Sequence, residues 1–134
     1  MNRILAMLSK IIAVLMSIFY MFSGGNPDKV TVSVVNQPTD ETTVIEYEIE
    51  NYSGVTVYAD AYFTIEKNVD GNWVAVPFAD DATVNDIAIE VRNCQTVTLK
   101  IDLNRQYGHT LDEGTYRLVL AYVNTPAEFI VTPA

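Results

Sequence analysis

From residue 26 onward apolar and polar side chains alternate with a period of two, and no stretch carries convincing helical periodicity. The clearest run is VIEYEIEN, where Ile45, Tyr47 and Ile49 alternate with Glu46, Glu48 and Glu50. Side chains of a strand point to opposite faces in turn, so this run predicts one buried face and one wet face bearing three glutamates. QTVTLKIDL alternates as strictly, with Val97, Leu99, Ile101 and Leu103 facing in and Thr98, Lys100 and Asp102 facing out. KVTVSVV alternates imperfectly but is rich in β-branched residues, and reads as a first strand. TYRLVLAYV and AEFIVT, separated by the turn residues Asn124, Thr125 and Pro126, complete the regular strands.

The middle of the chain is more mixed. VTVYADAYFTIEKN is long, and its length predicts a strand that bends or changes sheets. Asp70 and Gly71 tolerate the positive φ of a tight hairpin, after which Trp73, Val74 and Val76 return. Alternation continues through Trp73, which makes it a partly buried sheet residue rather than a ligand platform. PFADDATVNDIAIEVRNC is the least regular part: Asp80, Asp81 and Asp86 fall in a loop, and Ile87 and Ile89 begin to pack again. NRQYGHTLDEG reads as a loop. About seven strands with regular turns, and no helical crossover or solenoid repeat, predict one all-β domain of two packed antiparallel sheets.

Residues 1–25 follow a different rule. MNRILAMLSK carries two positive charges and no acid, IIAVLMSIFYMF is apolar, and SGGNPD breaks the run, which is the layout of a secretory signal. Cleavage after Gly25 would place Ser23 and Gly25 at the small-residue positions. Residues 4–22 also approach the roughly 20 apolar residues of a bilayer span, although Lys10 interrupts them. A cleaved signal and an uncleaved anchor both stand, and both leave residues 26–134 extracytoplasmic, secreted or held facing outward, because the basic flank stays inside. With no cysteine after the apolar run a lipoprotein anchor is excluded, and AEFIVTPA argues against cell-wall sorting.

Charge narrows the partners. Seventeen acids against 8 bases give a net charge of −9, and two of the bases, Arg3 and Lys10, lie in the N-terminal segment. A surface this acidic repels phosphate backbones, so nucleic-acid binding through a basic footprint is excluded. Cys94 is the sole cysteine; no internal disulfide can form, and a buried thiol is expected over a reactive one.

Catalytic and metal chemistry find little to use. His109 is the only histidine, so a zinc site lacks ligands and a nucleophilic triad at Cys94 or a serine lacks partners. Asp80, Asp81 and Asp86, with Asp112 and Glu113 from a second loop, could offer oxygens to calcium, but without the pattern of an EF-hand. Paired carboxylates for glycoside hydrolysis need a cleft that a small sandwich does not supply. Among eight tyrosines, Tyr52, Tyr58, Tyr62 and Tyr107 are not all forced inward and could stack on a sugar or a peptide.

YFTIEKNVDGNWVAVPF, then QTVTLKIDL, then LDEGTYRLVLAYV resemble, in that order, the bacterial immunoglobulin-like domain family of Gram-positive secreted proteins and lipoproteins, over residues 43–132. The last motif is carried by Gly114, Tyr116, Arg117 and Leu118. The resemblance implies an immunoglobulin-like two-sheet β-sandwich outside the cytoplasm, and little chemistry. Many relatives carry a lipid-attachment cysteine that is absent here, which leaves the mode of attachment open. Gly114 can turn the chain before the last motif's strand, and Tyr116 is either the tyrosine corner of such sandwiches or a plain core tyrosine. The expectation is therefore a non-enzymatic module, residues 26–134, without cofactor or metal, that associates with another envelope or extracellular protein. A carbohydrate-binding module is the alternative. The residues singled out, Tyr47, Gly71, Trp73, Gly114 and Tyr116, are structural.

Overall fold

The computed structural model describes residues 25–59, 63–82, 89–121 and 123–134; the N-terminal segment through residue 24 and the expectations for Tyr62, Asp86 and Ile87 lie outside them. After a 3₁₀ turn at Pro27–Lys29 come β1 (Val30–Val34), β2 (Val44–Asn51), β3 (Val57–Ala59), β4 (Phe63–Val69), β5 (Asn72–Ala75) and β6 (Ile89–Val91). β7 (Gln95–Asp102), α1 (Leu103–Tyr107), β8 (Gly114–Leu120) and β9 (Ala127–Val131) follow. One sheet has the order β1-β2-β7, a second β5-β4-β8-β9, and β3 pairs with β6; all these pairings are antiparallel.

The alternation read from the sequence sets the two inner faces. Ile45, Tyr47 and Ile49 of β2 are buried, Tyr47 lying between Val34 and Leu99, while Glu46, Glu48 and Glu50 share the outer face. On β1 the inner residues are Val30, Val32 and Val34, a cleaner alternation than KVTVSVV suggests, because Val35 already lies beyond the strand. Phe63, Ile65, Leu118, Leu120, Tyr116 and Phe129 line the facing sheet and join the same core. Val69–Asn72 closes the hairpin expected at Asp70-Gly71, whose φ values of 53° and 86° suit a two-residue turn.

Five expectations change. Nine strands are present among the described residues, because VTVYADAYFTIEKN does change sheets, its start pairing as β3 with β6 and its end forming β4. Within NRQYGHTLDEG a helix replaces part of the loop: Asp102 Oδ1 caps it by accepting from the Arg105 N–H (3.2 Å), and Gly108 closes it at φ 79°. One turn of helix is too short to show a period. Ile89 is exposed and Val91 carries the packing instead, being fully buried opposite Val57. Cys94 is exposed, not buried; it sits at φ 66° in the turn between β6 and β7, where the side chain leaves the tip. Tyr107, offered as a stacking surface, is buried against Phe78 (4.9 Å between ring centres), and its hydroxyl oxygen accepts from the Ile65 N–H (3.2 Å).

A polar hub holds the end of β2. Asn51 is fully buried; its Nδ2 donates to the carbonyls of Val55 and Val91 (both 2.8 Å), and its Oδ1 accepts from Ser53 N–H (3.0 Å) and Oγ (2.6 Å). The side chain thus fastens the loop into β3 and the end of β6 to β2. A near-isosteric leucine would strand those backbone groups. Asn51→Leu is expected to lower stability by about 2–4 kcal/mol, read from the urea midpoint, with the slope of the transition unchanged.

Candidate interaction surface

The entry to β8 gathers most of the charged chemistry. Tyr116 points inward, 1% exposed, its ring stacked on Phe129 at 5.6 Å, and its hydroxyl donates back to the Asp112 carbonyl (2.8 Å). That is a tyrosine corner, and it decides between the two readings of Tyr116. Gly114 adopts φ 154°, and a Cβ there would come within 2.8 Å of Lys67 Cε. The space is used: Lys67 crosses above Gly114 to reach Asp112 Oδ2 (3.4 Å) and lies 5.6 Å from the centre of the Tyr116 ring. Asp112's own backbone N–H and the Lys67 ammonium hold the Asp112 carboxyl below its ordinary pKa, against a smaller opposing effect of desolvation. Burial and the neighbouring carboxylate raise the Tyr116 phenol, which stays neutral. Beside this corner a cleft of about 250 Å³ is lined by Val69, Val74, Pro77, His109 and Leu111.

Trp73 lies on the outer face of the four-stranded sheet, partly buried as expected. Arg117 covers its ring at 4.5 Å and binds Glu66 Oε1 through Nε at 2.6 Å. The stack satisfies the cation and occupies one ring face, so Trp73 is a packed sheet residue. Tyr47 lies in the opposite sheet and Gly71 and Trp73 share the β4–β5 hairpin, so of the five residues singled out the structure brings Gly114 and Tyr116 together at the corner.

Two further surfaces stand exposed, the first not singled out from the sequence and the second holding tyrosines that were. One is β9. Ile130 is 63% exposed, and a groove of about 500 Å³ runs between Glu128, Ile130 and Thr132 on one side and Asn36, Gln37 and Pro38 on the other. The alternation of AEFIV could have marked Glu128 and Ile130 as outward, but not that an open edge lies beside them. The other is Tyr58 of β3, 54% exposed and opposite Glu90 of β6. Tyr52, at 56%, is exposed just beyond β2. Among the described residues no three of His, Cys, Asp and Glu come together to hold a metal.

Two antiparallel sheets closed on one core, with a tyrosine corner at the entry to β8, define an immunoglobulin-type β-sandwich. The chain belongs to the bacterial Ig-like domain family, whose family model matches residues 26–130. Among solved structures it is similar to a β-glucosidase from Listeria innocua crystallised with glucose, at 10% identity and a TM-score of 0.37, over 81% of this chain and 16% of that one. No curated protein matches it.

The corner makes a paired expectation. Tyr116→Phe removes one hydrogen bond to a carbonyl and should cost about 1–2 kcal/mol. Because the folded pKa of Asp112 is depressed, its contribution is present above the unfolded carboxyl pKa and is lost as pH falls through the folded value. Urea midpoints followed into acid should therefore fall less steeply for Asp112→Asn than for the parent.

Proposed function

We propose that the chain is a non-enzymatic, extracytoplasmic immunoglobulin-like module that associates with another protein at the bacterial cell envelope. The observation that carries this reading is the edge of β9, paired only at its end through Thr39 and Thr132, with a large apolar side chain, Ile130, in the open beside it. The basic, apolar and small-residue layout of residues 1–25 supports export, as a cleaved signal or as an outward-facing tether through residues 4–22. Membership of the bacterial Ig-like family is compatible with both. Net acidity favours a partner that is basic or neutral where it docks.

A second reading, carbohydrate binding, is favoured by Tyr58, whose exposed ring stands opposite the carboxylate of Glu90. It uses a different surface. Binding on a glycan array that is lost in Tyr58→Ala would replace protein association by this reading, and an empty array would remove it.

The primary test places a photo-cross-linking amino acid at Tyr52, Val74 or Ile130 of the full chain in a bacterial host. Intact mass from the membrane and medium fractions shows whether residues 1–25 remain attached. Cross-links to one envelope or extracellular protein are expected; none from any of the three positions would overturn the reading.

A further inference from the structure

The edge of β9 is open for a stated reason. Thr132, just beyond β9, donates its N–H to the Pro38 carbonyl (3.2 Å) and accepts from the Asp40 N–H (3.0 Å), the two bonds of a parallel bridge centred on Thr39. The next step of that ladder toward the start of β9 would be at Ile130. There the N–H would donate to the Asn36 carbonyl and the C=O would accept from the N–H of residue 38. Residue 38 is proline and has no N–H, so the ladder stops after one bridge.

Asn36 is also engaged elsewhere. Its Nδ2 donates to the Val44 carbonyl (2.9 Å) and its Oδ1 accepts from the Glu46 N–H (3.0 Å), which ties this residue to β2 in the other sheet. Along a strand the N–H and C=O of every second residue point to the same side. Since those of Thr132 point toward Pro38 and Asp40, those of Ile130 and Glu128 point the same way, away from β8. None of these four groups has a backbone partner among the described residues. Beside them lies a groove of about 500 Å³ lined by Asn36, Gln37 and Pro38 and by Glu128, Ile130 and Thr132, reaching Thr115 of β8 across the strand.

We infer that this groove accepts an extended segment of another polypeptide as an added strand beside β9, the segment bearing a lysine or arginine and an apolar residue two positions apart. The inference rests on the proposed protein association and names its site. The added backbone completes the four outward hydrogen-bonding groups of Glu128 and Ile130, one of which, the Ile130 carbonyl, lacks its own-chain donor because of Pro38. Its side chains meet Glu128 and Ile130, which share the outer face two residues apart. Glu128 is exposed and forms no ion pair among the described residues, because Arg117 opposite it is held by Glu66. A basic residue supplies the missing countercharge. A second copy fits poorly, since its own β9, AEFIV, offers no basic residue to Glu128 and each chain carries a net charge of −9.

The test is amide hydrogen exchange on the full chain in mild detergent, with the soluble peptide TKTVTKTVT and its glutamate counterpart TETVTETVT as probes. The lysine peptide is expected to slow exchange at Glu128 and Ile130 by about tenfold or more, and the glutamate peptide to leave it unchanged. Ile130→Pro deletes an outward N–H without touching the ladder to β8 and should abolish protection. Glu128→Lys should reverse the preference between the peptides. Pro38→Ala restores the missing donor, lets the chain's own ladder extend, and should weaken the peptide. Unchanged exchange at both residues, equal response to the two peptides, or a dimer by sedimentation that Ile130→Pro dissolves would overturn the inference. If cross-links form from Tyr52 or Val74 and not from Ile130, while the peptide gives no protection, the edge fails and protein association stands.

Discussion

Without a covalent cross-link, two sheets stay together only through the apolar faces that they share. The single cysteine, Cys94, sits exposed in a turn, so the sandwich depends on inward residues at alternate strand positions. Each sheet supplies one face, and a shift of one residue in register would turn Ile45, Tyr47 and Ile49 outward and three glutamates inward. The register therefore has to be held at the ends as well as in the middle. Side chains bound to backbone do this. Asn51 fixes the β2 end to β6, Tyr116 fixes the loop before β8, and Tyr107 fixes α1 to β4. All three are buried polar groups with partners, which is the condition under which burial of polarity stabilises.

The strands that obey strict alternation were legible in the sequence. β2 and β7 pair over their whole lengths, Val44 to Asn51 against Asp102 to Gln95, and both showed the period clearly. The Asp70-Gly71 turn was legible because its backbone demands a residue type, and GTYRL because a glycine and a tyrosine two residues apart have a recurring geometry. What escaped has a common cause. Asn51, Lys67 and Arg117 act through partners 40, 45 and 51 residues away, and a single sequence does not display such pairings. The helix at Leu103–Tyr107 was hidden by its length, although its Asp102 cap and Gly108 stop were there to be read.

The exterior is less uniform than the composition suggests. On the three-stranded sheet Glu46, Glu48 and Glu50 stand in a row, with Lys100 reaching only Glu46 at 3.7 Å. On the four-stranded sheet Glu66, Arg117 and Trp73 close on one another, leaving little free charge in the middle of that face. Acidity thus concentrates on one broad face, while apolar exposure at Ile130 lies at the margin of the other. The excess of negative charge on the first face discourages stacking of identical copies there, since like charges across a contact raise its free energy.

The junction between Val35 and Asp40 links these properties. Here the chain leaves the first sheet and reaches the edge of the second, and two side chains decide how far it goes with each. Asn36 extends the β1–β2 ladder by one step, its amide standing in for backbone, as it holds Val44 and Glu46. Pro38 limits the contact with β9 to the single bridge at Thr39. Had both residues been ordinary strand formers, the segment could have left β2 sooner and covered β9 along its length. The residues that anchor the crossing to one sheet thereby leave the other sheet's edge exposed, and the exposure is a property of the fold rather than of a loosely placed loop.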